Sequence, residues 1–102
     1  MVGWLKAVVA TAACLGFQTV FAQADALQVR SWAAACANCH GTQGLAQPGM
    51  VALAGVSQVA LRSALREFKA GTRPATIMQQ LAKGYTDEQL DQLAAYFAAQ
   101  KK

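Results

Sequence analysis

Cys36-Ala37-Asn38-Cys39-His40 sets two thiols three positions apart, with an imidazole directly after the second. This is the spacing of a c-type haem attachment site. The two thiols add across the vinyl groups of a porphyrin to give thioethers, and the adjoining imidazole binds the iron axially, so the chemistry is one-electron transfer. His40 is the single histidine of the chain. The rival readings of such a cysteine pair need more than this sequence holds. A zinc site would require two further ligands, and Cys14 is the only other cysteine. A thioredoxin-like redox pair would require a βαβ setting, which the flanking Ala33-Ala34-Ala35 and Gly41-Thr42-Gln43-Gly44 do not suggest.

Iron in a low-spin electron carrier needs a second axial ligand. With no other histidine, the candidates are Met50 and Met78. A thioether is also the ligand that raises the reduction potential, although methionine serves equally well as core filling. Met78 lies a whole helix beyond His40, so the chain has length to wrap the ring and approach its far face; Met50 follows within the same loop. Distance along the chain favours Met78. If both methionines were core residues, the iron would keep an open position and the protein would be a gas sensor or haem enzyme.

The elements that position these groups read as all-α. Ala26 to Ala37 carries Leu27, Arg30 and Ala34 at helical spacing, with Trp32 among alanines, and leads into the haem motif. Gly41 to Gly55, with several glycines and Pro48, reads as an irregular loop. Ser57 is placed to cap a second helix whose apolar face is Leu61, Ala64, Leu65 and Phe68, ended by Gly71, with Arg62, Arg66 and Lys69 opposite. Pro74 can open a helix but not lie within one, which predicts a short helix over Ala75 to Lys83, closed by Gly84. Thr86-Asp87-Glu88-Gln89 forms a capping box for a last helix with Leu90, Leu93, Ala94 and Phe97 as its buried stripe.

Met1 to Ala24 reads as a secretory signal: Lys6 in the n-region, an apolar stretch from Ala7 to Val20, and Ala22-Gln23-Ala24 as a cleavage site. An uncleaved anchor would need ~20 apolar residues, and Gln18 interrupts this stretch; acylation at Cys14 lacks the usual leading Leu. Residues 25–102 then form one domain, for which burial of ~60% of the unfolded chain's surface leaves a marginal core that a covalent haem would complete. Export fits the motif, because haem is joined to thiols outside the bacterial cytoplasm; the expected location is the periplasm. The formal charge is +4, and +3 without Lys6. No nucleic-acid patch stands out, and Lys101-Lys102 suits a solvated helix end.

Phe68-Lys69-Ala70-Gly71-Thr72-Arg73, Ala75-Thr76-Ile77-Met78 and Ala82-Lys83-Gly84-Tyr85-Thr86, taken with the haem motif, resemble the class I cytochromes c. More narrowly, they resemble the cytochrome subunit of flavocytochrome c sulfide dehydrogenases. The resemblance implies the class I cytochrome c fold, short helices around one covalent haem c, with the methionine matching Met78 as distal ligand. It also implies that Pro48 offers its carbonyl to the other nitrogen of His40, tuning the ring's basicity. Arg73 is a candidate partner for a haem propionate, or a solvated loop residue. Tyr85 and Trp32 border the haem or belong to the ordinary core. Two functions follow: a subunit taking electrons from a flavoprotein that oxidises sulfide, or a free shuttle meeting redox proteins through small interfaces. Many members of that family carry two haem domains, whereas this sequence has one motif.

Overall fold

A computed structural model describes residues 25–102. The proposed signal, with Lys6, Cys14 and the cleavage site, lies outside the described residues. Four helices and one 3₁₀ turn make up the regular structure: α1 (Ala26–His40), the turn Thr42–Gly44, α2 (Gln58–Ala70), α3 (Met78–Lys83) and α4 (Asp87–Ala98). No strand occurs among the described residues, so the fold is the all-α one expected.

α1, α2 and α4 each begin where a side chain can satisfy an otherwise orphaned backbone N–H, whereas α3, with Ile77 at its N-cap, begins without a side-chain cap. Asp25 accepts from the Gln28 amide at 2.8 Å, and Ser57 Oγ accepts from the Ala60 amide at 3.1 Å. Thr86 and Gln89 form the reciprocal capping box at α4, with bonds of 3.1 and 2.9 Å. At the end of α2, Gly71 adopts the left-handed conformation (φ 78°) and returns its N–H to the Glu67 and Phe68 carbonyls, a closure that costs any other L-residue strain.

Two boundaries differ from expectation. α1 runs on through the haem motif to His40 instead of stopping at Ala37. α3 begins at Met78 rather than Ala75. In the second case the Gln79 side chain donates to the Arg73 carbonyl at 2.8 Å, and the Ile77 carbonyl accepts the first helical N–H groups, from Gln80 and Leu81. A side chain thus satisfies backbone that a helix opened at Pro74 would have used.

α4 is the centre of the packing. Leu90, Leu93, Ala94 and Phe97 are buried, with Ala33 of α1 and Leu61 of α2 in the same cluster. Trp32, Cys36, Leu65 and Tyr85 pack against it from the side. α2 lies on α3 and α4, and α1 lies on α4. Asp91 of α4 clasps α2 through Arg62 Nε at 3.0 Å and Arg66 Nη2 at 2.9 Å. The carboxylate beside Arg66 holds its guanidinium in the charged form still more firmly than usual. No helix among the described residues is long and apolar enough to cross a membrane.

Candidate haem-attachment site

Because α1 continues to His40, Cys36, Cys39 and His40 occupy positions i, i+3 and i+4 of one helix and share one face. That places both thiols and the imidazole within reach of one flat ligand. Both cysteines are unpaired thiols, Cys39 exposed and Cys36 half-buried. Burial pushes the Cys36 thiol up from its ordinary range. Tyr85, half-buried, is pushed up too, by burial and then by the neighbouring Cys36.

Gly41 closes α1 with φ 81°, its N–H bonded to the Ala37 carbonyl at 3.0 Å. A Cβ there would lie 2.5 Å from the Leu45 carbonyl oxygen. Glycine is therefore what lets the chain turn back at once beneath His40. The returning loop brings the Val51 carbonyl to 2.7 Å from His40 Nδ1. A carbonyl can only accept, so the neutral imidazole carries its proton on Nδ1 and presents the lone pair of Nε2 as a ligand.

This bond corrects the expectation for Pro48. Pro48 lies in an exposed turn where the Met50 amide bonds the Gln47 carbonyl, and three further residues are needed before the loop reaches the imidazole. Arg73 is likewise engaged within the protein. Its Nη1 donates to Glu67 Oε2 at 3.2 Å, and its guanidinium lies 5.3 Å from the centroid of the Phe68 ring. Val51 is the partner of His40 that sequence reasoning missed, and no side-chain signal marks it, because every residue carries a carbonyl.

Met78 opens α3, half-buried, whereas Met50 is exposed in the loop. Leu45, Met50 and Val51 on the loop after His40, and Ile77 and Leu81 beside Met78, are large apolar side chains left exposed. They lie on the two segments that carry the candidate ligands. Two thiols on a helix face, an imidazole with a free Nε2 and an apolar surround suit a covalently held porphyrin; among the described residues no cluster of His, Cys, Asp and Glu competes as a metal site.

Comparison with known proteins agrees. The chain is 42% identical over 62 residues to the cytochrome subunit of sulfide dehydrogenase of Chlorobaculum tepidum, covering 61% of this chain and 56% of that one. It is 41% identical over 69 residues to the thiosulfate dehydrogenase electron acceptor of Stutzerimonas stutzeri, covering 66% of this chain and 32% of that one. It is 38% identical over 71 residues to cytochrome c-554(548) of Halomonas halodenitrificans, covering 65% of this chain and 84% of that one. The chain thus spans about half or less of the first two relatives. The family model for cytochrome c matches residues 28–101, from the first turns of α1 to the tail beyond α4, and on that match the chain belongs to the cytochrome c family of electron carriers.

Proposed function

We propose that this chain is an exported cytochrome carrying one haem c on Cys36 and Cys39, with His40 and Met78 as axial ligands, that accepts electrons from a flavoprotein sulfide dehydrogenase. The observation that carries the haem reading is the 2.7 Å bond from His40 Nδ1 to the Val51 carbonyl, which fixes the tautomer and leaves Nε2 for iron. When bound, the haem supplies a one-electron Fe(III)/Fe(II) couple.

The chain's own residues do the rest. α1 holds both thiols and the imidazole on one rigid face, and Val51 orients the ring and raises its basicity. Leu45, Met50, Val51, Ile77 and Leu81 are the exposed apolar side chains that would keep water from a bound porphyrin. The Glu67 and Phe68 contacts of Arg73 leave a propionate role for that residue as a secondary arrangement. Residues 1–24 are read as a signal removed on export, which puts the mature protein in the periplasm.

Sulfide comes to this chain by similarity to the Chlorobaculum tepidum subunit. The test is to mature the full chain in a host competent in c-type haem attachment, and to mix it with the flavin-containing protein of the same organism and sulfide. Co-elution with the flavoprotein and sulfide-dependent haem reduction are expected. A protein that elutes alone and stays oxidised refutes the subunit reading. A second reading, a free shuttle between redox proteins, is favoured by the length match with cytochrome c-554(548); it keeps the haem but predicts no stable flavoprotein complex.

A further inference from the structure

The loop that delivers Val51 to His40 is fastened at both of its ends, and both fastenings meet at Phe97 of α4. At the near end stands Gly44, buried, with φ 77°. Its carbonyl accepts from the amides of Ala46 at 3.1 Å, Leu53 at 2.9 Å and Ala54 at 3.1 Å, so the outgoing and returning limbs of the loop are tied to one oxygen. A Cβ built on Gly44 would lie 2.9 Å from the Ala54 nitrogen, from Leu53 Cβ and from Phe97 Cδ1. The Phe97 ring is therefore packed directly against the glycine. At the far end the Gly55 amide donates to the Phe97 carbonyl at 2.9 Å. Val51 has only Ala52 between it and the first tied residue, Leu53.

We propose that Gly44 and Phe97 are positioning residues for His40: the C-terminal helix, through this glycine, sets where the Val51 carbonyl meets Nδ1 and so sets the orientation and basicity of the iron-binding imidazole. This rests on His40 being the proximal ligand. Neither residue touches the imidazole in the contacts above; they act through the loop. The coupling is stiff because its contacts are backbone to backbone or ring to backbone. A clash with the Ala54 nitrogen cannot be relieved by turning a side chain, and close-packed interiors transmit such shifts.

A bond to Nδ1–H makes the ligand more basic and so favours Fe(III). Loosening it should raise the reduction potential. The variant is Gly44→Ala, which meets both a φ unsuited to an L-residue and the 2.9 Å contacts. Its control is Leu93→Ala, which opens a cavity in the same core without entering the loop's hydrogen bonds. The expected result is a raised potential in Gly44→Ala and an unchanged one in Leu93→Ala, despite the stability lost there. If Gly44→Ala does not fold, Phe97→Leu removes the ring contact and keeps the carbonyl.

Hydrogen exchange in the wild-type holoprotein gives a second readout. As denaturant rises below the midpoint, the Leu53, Ala54 and Gly55 amides and the His40 Nδ1–H should lose protection in one shared opening event. A potential that does not move in the loop variant, or an Nδ1–H that opens separately from those amides, overturns the coupling. Ring-current-shifted resonances of the His40 ring and the Met78 methyl report ligation independently. An unmoved potential in a protein that shows them refutes the coupling, and their absence refutes the ligand assignment.

Discussion

Replacing Cys36 and Cys39 together by alanine separates what the polypeptide holds by itself from what the haem holds. If the chain were self-sufficient, the double change would be mild. Cys39 is exposed, and a surface substitution costs within about 0.5 kcal/mol; the half-buried Cys36 would lose about 1 kcal/mol of burial. At about 4–8 °C per kcal/mol for a domain of this size, the melting temperature would fall by roughly 12 °C at most. The packing argues for far more. Of the eight buried hydrophobic residues among those described, four are alanines, Ala33, Ala54, Ala82 and Ala94, which leaves Leu61, Leu90, Leu93 and Phe97 as the large ones. Each of these contributes about 1.5–3 kcal/mol when fully buried, in a domain small enough to be marginal anyway. Meanwhile Leu45, Met50 and Val51 in the loop after His40, and Ile77 and Leu81 around Met78, stay exposed. The expected outcome is no cooperative thermal transition by circular dichroism or calorimetry in the double variant, against a sharp one in the haem-loaded protein. A cooperative melt within about 12 °C of the holoprotein would refute the reasoning, because the four-residue core would then suffice.

Changing Met78 to alanine should abolish the far-red sulfur-to-iron absorption band, open the ferrous iron to rapid carbon monoxide binding and lower the potential, since the thioether raises it; Met50→Ala should leave all three as they were, and the reverse pattern would make Met50 the ligand. At the start of α4, the Lys69 ammonium 3.0 Å from Asp87 holds that carboxyl below the usual carboxylate range, by its hydrogen bond first and its charge second. A depressed folded-state value stabilises above the unfolded value, near 3.9, and that contribution fades as pH falls through the folded one. Melting curves of wild type and Lys69→Met should therefore differ at neutral pH, begin to approach one another near about pH 4 and meet only below the lowered folded value; a gap that persists undiminished at lower pH would refute the pairing.

Local signals with a mechanism of their own were legible from the residues. The caps at Ser57 and Thr86, the left-handed Gly71 and the stripe Leu90, Leu93, Ala94 and Phe97 all stand where spacing and residue type put them. Each depends on contacts within four residues or on one helix face. Boundaries set by longer reach were less so. Whether α1 stops at Ala37 or runs on to His40 depends on whether Gly41 can turn back under its own helix, which in turn depends on where Leu45 passes. The start of α3 hinges on the Gln79 side chain reaching Arg73, a competition that propensity does not register.

The shared face of Cys36, Cys39 and His40 belongs to the legible class and the support of His40 does not, for one physical reason. Thiols and an imidazole are rare groups whose spacing on a helix is fixed by the backbone, so the sequence order of Cys36, Cys39 and His40 is already a geometry. The acceptor for Nδ1 is a backbone carbonyl, chemically the same at every loop residue, and its choice is made by how the loop is tied down. Proline restricts φ and invites the expectation that its carbonyl is the fixed one. Here the ties are the Gly44 carbonyl and Phe97, and they deliver Val51. On the proposed ligation, His40 is thus oriented through contacts that the loop makes with α4. A change at Phe97 should consequently be read in the electronics of the iron as well as in the stability of the fold.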